Sequence, residues 1–132
     1  MSARFTKTFI AGPRHIDELG HVNNAVWVQW IQDLATAHWN AAARAEDRAA
    51  FLWVVVRHEI DYRGNIAAGQ SAIGETCIPD APRGATSVRE AHFTDPQGKP
   101  LVKARTTWAM LDKDTQRLVR VRSEVLKPFQ ER

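Results

Sequence analysis

The stretch NAVWVQWIQDLATAHWNAAAR (residues 24–44), followed by VVVRHEIDYR (residues 54–63), decides how this chain folds. In the first, Trp27, Ile31, Leu34, Ala35, His38 and Ala42 recur at helical spacing, and alanines crowd the second half. Val28, Trp30 and Trp39 widen the apolar surface beyond one stripe, which predicts a helix covered on most sides. About twenty residues rising 1.5 Å each make a helix of roughly 30 Å, long enough to cross several strands. In the second stretch the period changes to two. Val54, Val56, His58, Ile60 and Tyr62 fall on one face, and Val55, Arg57, Glu59, Asp61 and Arg63 on the other. One apolar face and one charged face predict a sheet packed on a single side, as antiparallel pairing allows.

Upstream, ARFTKTFIA (3–11) carries Phe5 and Phe9 among threonines and stops at Gly12-Pro13, which predicts a first strand and then a loop over 12–22. Asn23 or Asn24 can cap the helix, because an Asn side chain accepts from the free N–H groups of the first turn. Downstream, segments near 71–78, 85–93 and 100–111 read as strands separated by the turn-rich PDAPRG (79–84) and DPQG (95–98). In the third of these, Val102, Ala104, Thr106, Trp108 and Met110 oppose Lys103, Arg105 and Thr107. A short further strand is expected near 117–121, and a helical turn at SEVLKPF (123–129). The order is strand, long helix, then four or five antiparallel strands. Such a helix has to bury its wide apolar surface in a sheet curved around it.

At 132 residues the chain is expected to form one domain, 1–132. Hydrophobic residues at 44% and charged residues at 25% are ordinary for a globular, water-soluble protein. Five tryptophans are many for this length and call for a core shared in part between subunits. The net charge of +3 and pI near 9.4 suit an anionic ligand such as a phosphate-bearing cofactor carrier, and an ordinary soluble surface explains them as readily. No run of Lys and Arg is interleaved with aromatics, so nucleic acid is not an expected partner. Cys77 is the sole cysteine, which excludes an intrachain disulfide and a multi-Cys zinc site and predicts a buried, inert thiol. No apolar leader or membrane-length apolar run stands out, and a reducing, cytoplasmic setting is expected.

The chemistry is concentrated in HIDELGHVNNAVWVQW (15–30). It places Asp17, His21 and two asparagines in a short loop that ends where the helix begins. Free N–H donors and the partial positive charge of a helix start can hold an oxyanion. A carboxylate a few residues upstream can then act as base or nucleophile at the same carbonyl. Gly20 allows a tight turn or a close approach to ligand. His15, Asp17 and His21 fall in a loop and not on one helix face, and neither a metal nor a cofactor is expected. None of Ser71, Ser87 and Ser123 sits in a G-x-S-x-G elbow.

This loop resembles the active-site loop of hot-dog-fold thioesterases of the 4-hydroxybenzoyl-CoA thioesterase type: an Asp, two residues, a Gly, a small cluster and then an aromatic. Asp17, Gly20 and Trp27 occupy those places, with Trp27 where the family usually has tyrosine. HVNNAVW (21–27) is also similar to the HVNN motif of plant acyl-ACP thioesterases, and IDYRGN (60–65) looks like the family's second strand running into its turn. The resemblance implies an α+β hot-dog fold, with one long central helix wrapped by a curved five- to six-stranded antiparallel sheet. It also implies a homodimer or homotetramer and hydrolysis of an acyl-CoA thioester, with acyl-ACP as the secondary alternative. Asp17 is then nucleophile or general base, and the backbone N–H of Asn24 polarises the carbonyl. His21 orients Asp17 or water, protonates the leaving thiolate, or serves structure alone. Gly20, Asn23, Trp27 and Asn65 are the expected substrate-side residues. Two departures stand out: Leu19 and Asn65 replace the asparagine and the acidic residue of the plant pattern, and His15 and Asn24 stand where bacterial members often have acidic or aromatic groups.

Competing readings follow from the same residues. Asp17 can simply cap its own turn; His38 and His58 read as satisfied core histidines; and Arg89, Lys103 and Arg105 either meet CoA phosphates or lie on a solvated face. Enoyl-thioester hydration on the same fold and non-catalytic acyl-thioester binding are the two functional alternatives.

Overall fold

The computed structural model describes residues 3–130. Strand β1 (Phe5–Ile10) leads through a single 3-10 turn (Pro13–His15) into helix α1 (Asn24–Ala42) and a short helix α2 (Ala45–Ala50). Four strands follow: β2 (Phe51–Tyr62), β3 (Ser71–Cys77), β4 (Thr86–Thr94) and β5 (Pro100–Asp112). Helix α3 (Ser123–Gln130) comes last. Every strand pairing is antiparallel, and the order across the sheet is β1-β3-β4-β5-β2. The strands on either side of α1 in sequence therefore lie at opposite edges, and the chain has to cross the sheet between them. α1 is that crossing.

Trp27, Trp30, Ile31 and Leu34 of α1 pack with Phe9, Phe93 and Leu101 of the strands. The helix packs over Gly74 in β3, where a Cβ would lie 2.8 Å from the Phe93 ring and 2.9 Å from Leu34 Cδ2. Glycine leaves room there for two large core side chains. At the other end of α1, α3 adds a second apolar cluster in which Leu126 and Phe129 are fully buried. The Phe129 ring stacks on Trp39 with centroids 5.6 Å apart and planes 4° from parallel.

The predicted arrangement of long helix on an antiparallel sheet is present, and three details differ. The β2–β5 register shifts between Val55 and Arg57, so Val56 is an extra residue and the side-chain parity reverses there. Trp53 and Val55 thus share the inner face with His58 and Ile60, while Val54 and Val56, expected inside, are 41% and 60% exposed. Residues 117–121 form no strand, and the sheet has five strands. Val119 N–H donates to the Met110 carbonyl and Val121 N–H to that of Gly84, so no continuous ladder forms with one neighbour. Finally, AEDRAA (45–50) is helical, anchored by Arg44, whose Nε and Nη2 donate to the buried Asp47 carboxylate at 2.8 and 3.0 Å.

Candidate active site

The loop before α1 is closed on itself. Ile16 and Val22 form an antiparallel bridge, Asp17 N–H donates to the His21 carbonyl at 2.8 Å, and Gly20 N–H donates back to the Asp17 carbonyl at 3.0 Å. Gly20 turns with φ of 81°, the left-handed region glycine enters without steric cost. Asp17 is half-buried, and its Oδ1 accepts from the N–H of Leu19 at 2.9 Å and of His21 at 3.3 Å. Its Oδ2 has no protein partner among the described residues. The His21 imidazole is exposed and likewise makes no side-chain bond among them.

Backbone amides at a helix start have no carbonyl one turn back, so each has to be accounted for. Asn23 is the cap: its own N–H donates to the His15 carbonyl at 2.9 Å, and its Oδ1 accepts from Ala25 N–H at 2.8 Å. Its carbonyl accepts from Val26 N–H at 2.9 Å. Asn24 N–H is left with no partner among the described residues. Asn24 is exposed, and its carbonyl accepts from the Tyr62 hydroxyl at the end of β2, at 3.5 Å.

Asn65 does not face outward as a substrate-binding group. Its Nδ2 donates to the Val22 carbonyl at 3.0 Å, and its Oδ1 accepts from the N–H groups of Val22 (3.2 Å) and Ile66 (2.8 Å). The side chain clasps both polar groups of Val22 and ties the loop to the chain leaving β2. Trp27, expected beside the substrate, has no exposed surface. It stands edge-on to Trp30 and Phe93, because the fourth residue of α1 falls on the stripe that meets the sheet. Asp17, Gly20, His21, Asn23, Asn24 and Asn65 are thus brought together at one end of the helix, and Trp27, in the same first turn, is buried in the core.

A second set of polar groups lies near the other end of α1, where His38 is the core histidine expected and Arg89, expected at CoA phosphates or on a solvated face, is instead buried beside it. β4 points Ser87, Arg89, Ala91 and Phe93 inward, so Arg89 is 8% exposed while Glu90 and Arg105 pair on the outer face at 3.0 Å. Arg89 Nη1 donates to His38 Nδ1 at 2.8 Å and to Thr76 Oγ1 at 3.3 Å, and its guanidinium lies 5.7 Å from the centre of the Phe129 ring. Burial pulls the Arg89 pKa down to about 10. Burial, and then the neighbouring Arg89 charge, hold that of His38 at about 4, so its imidazole is neutral and acts as acceptor. Arg89 and Ser87 border a cavity of about 290 Å³ between α1 and the sheet. The alternation ATSVREAHF gave no cue, since Ser87 and Arg89 look no more buried than Val88 and Glu90. His58 bonds Thr106 Oγ1 at 2.8 Å, but its Nε2 is buried without a partner. Among the described residues, no three His, Cys, Asp or Glu side chains cluster to hold a metal ion.

The sequence profile of the acyl-ACP thioesterase N-terminal domain matches residues 3–129, nearly the whole chain. The chain belongs to the acyl-ACP thioesterase family. No curated protein matches it by sequence. Solved thioesterases share its hot-dog architecture at low identity. An acyl-ACP thioesterase from Bacteroides thetaiotaomicron superposes with a TM-score of 0.80 at 19% identity, covering 98% of this chain and 54% of that one. The 12:0-ACP thioesterase from Umbellularia californica gives 0.79 at 15% identity, over 98% and 51%. A 1,4-dihydroxy-2-naphthoyl-CoA thioesterase from Synechocystis gives 0.79 at 11% identity, over 96% of each chain. This thioesterase-family chain thus spans about half the length of the two ACP thioesterases and nearly all of the shorter relative. Among the described residues no helix is long and apolar enough to cross a membrane.

The buried pair carries a pH signature. With a folded-state pKa near 4 against 6.5 in the unfolded chain, His38 takes up a proton more readily when unfolded. Its contribution is complete above pH 6.5 and is lost as pH falls from 6.5 to 4, by up to about 3 kcal/mol. Urea unfolding across that range is expected to show the decline, and His38→Gln to flatten it.

Proposed function

We propose that this domain hydrolyses an acyl thioester to the free acid and a thiol, with the reacting carbonyl held between the Asp17 carboxylate and the Asn24 amide. The observation that carries the reading is the single unpartnered N–H at the start of α1, beside a loop whose carboxylate keeps one oxygen free of protein partners. Attack at the thioester carbon places negative charge on its oxygen. An N–H already fixed in place stabilises that charge without reorganising, and one such donor is worth roughly 3 kcal/mol of barrier. Asp17 Oδ2 either takes the proton of the attacking water or forms the new C–O bond itself, giving an anhydride that water then opens. In both routes the C–S bond breaks and the thiolate leaves. His21, exposed on the same loop, can protonate it.

Gly20 and Asn23 shape the loop and the cap, while Asn65 and Trp27 act as positioning residues. The family match and the HVNN string favour an acyl carrier protein as the thiol, and the pattern of Asp17, Gly20 and Trp27 favours CoA. Both carry the acyl group as the same kind of thioester, and assays on both separate them. The non-catalytic alternative is favoured by one observation: Asp17 Oδ1 already serves as a turn cap for Leu19 and His21.

A second copy is expected along β2. This twelve-residue strand is a sheet edge, with an unpaired ladder side and with Val54 and Val56 exposed. Long apolar edges of this kind are normally covered. Tyr62, at its end, reaches the Asn24 carbonyl, so a partner along β2 would lie beside the site. Light scattering is expected to give a mass of at least two chains; a stable single chain contradicts this.

Asp17→Asn separates catalysis from capping, because an amide oxygen can still accept from Leu19 and His21. Thiol release from acyl-CoA and acyl-ACP is expected to fall roughly a hundredfold or more, with the unfolding midpoint little changed. Full turnover in this variant assigns Asp17 to the turn alone.

A further inference from the structure

The cavity near the far end of α1 has an unbalanced electrostatic lining. Arg48, Arg89 and Lys113 border it, and among the described residues no Asp or Glu does. Lys113 Nζ donates to the Arg48 carbonyl at 2.6 Å, which holds one of the outer cations in place. Arg89, the inner one, forms no salt bridge and bonds only to the neutral His38 and Thr76, both through Nη1. Its Nε and Nη2 groups have no hydrogen-bond acceptor among the described residues. A buried charge without a counter-charge costs several kcal/mol, and proteins pair such charges where they can.

The remaining walls are largely apolar, with Thr36, Asn40 and Ser87 as neutral polar side chains among them. Trp39, Phe51, Ile78 and Leu126 supply hydrocarbon surface. Trp53 and Trp108 also border the space. A cationic ligand would meet repulsion. A plain alkyl end would leave Arg89 Nε and Nη2 unpaired. An anion with lone pairs, carried on an apolar body, satisfies both the charge and the walls. At about 290 Å³ the space is at the small end of ligand pockets, which run roughly 300–1,000 Å³.

We propose that this cavity binds the carboxylate of a medium-length amphiphilic acid, with Arg89 as the group that pairs with it. Two sources share that chemistry: a free fatty acid, and an acyl group that ends in a second carboxylate. The geometry stands on the cavity alone and does not require the hydrolase reading.

The test titrates the intact protein with decanoate, decanol and decylamine, following the fluorescence of the lining tryptophans and the heat of binding. Decanoate is expected to bind at least tenfold more tightly than decanol, with decylamine weakest. Equal affinity for the acid and the alcohol overturns the proposal. Arg89→Met is expected to abolish the preference and Arg89→Lys to retain most of it; a preference undiminished in a folded Arg89→Met also overturns it. Ala35→Leu, which narrows the cavity from α1, is expected to weaken decanoate tenfold, and provides a second location test if Arg89→Met does not fold. Asp17→Asn is expected to leave decanoate binding unchanged. Faster release of thiol from a carboxyl-ended acyl-CoA than from decanoyl-CoA identifies the substrate as the source, and inhibition by decanoate without that preference identifies the free acid. A protein inactive on every thioester that still prefers decanoate refutes the hydrolase reading and supports this one.

Discussion

The first turn of any α-helix leaves amides that no carbonyl of the helix can reach, and here the preceding loop satisfies every one except that of Asn24. Asn23 does most of this work, with its side chain on Ala25 and its carbonyl on Val26. The cap is itself held by the His15 carbonyl, and the loop by the two-way clasp of Asn65 on Val22. Behind these bonds stands the packing of α1 on the sheet, tight enough over Gly74 to exclude a Cβ. The position of one N–H therefore depends on contacts running from β3 through the helix to the connection after β2.

The sheet topology explains why the polar groups of the candidate site gather at this end. β1 and β2 are opposite edges, and α1 spans the distance between them, so its start lies where the loop from β1 and the end of β2 meet. Tyr62 and Asn65, distant in sequence from Asp17, are delivered to the same place by that crossing. The opposite end of α1 is closed by α3 and Phe129, and there the interior holds Arg89 and His38. One helix thus has an electropositive opening at its start and a cationic interior beside its second half.

Much of this was legible in the residues. The 3.6-residue period of 24–42 and the two-residue period around β2 and β5 are physical consequences of one-sided burial, and both appear in the fold. The loop motif located the carboxylate, the glycine turn and the cap. What escaped notice depended on register or on partners far along the chain. A bulge at Val56 reverses which valines face inward, and nothing in VVV marks the extra residue. Arg89 lies inside because β4 inherits its register from Phe93, and a charged residue on an inner face runs against the hydrophobic pattern. Asn65 reads as a polar turn residue until Val22 is seen beside it. Trp27 matched a family position by spacing, yet its place on the apolar stripe puts it in the core.

The central claim is that Asp17 and the Asn24 amide address one carbonyl. A crystal structure with a non-hydrolysable acyl-thioester analogue tests it most directly. The account predicts the analogue's carbonyl oxygen within hydrogen-bond distance of Asn24 N, with an Asp17 carboxylate oxygen facing the carbonyl carbon. An analogue bound with its carbonyl remote from the start of α1, and Asp17 still turned onto Leu19 and His21 alone, would contradict it.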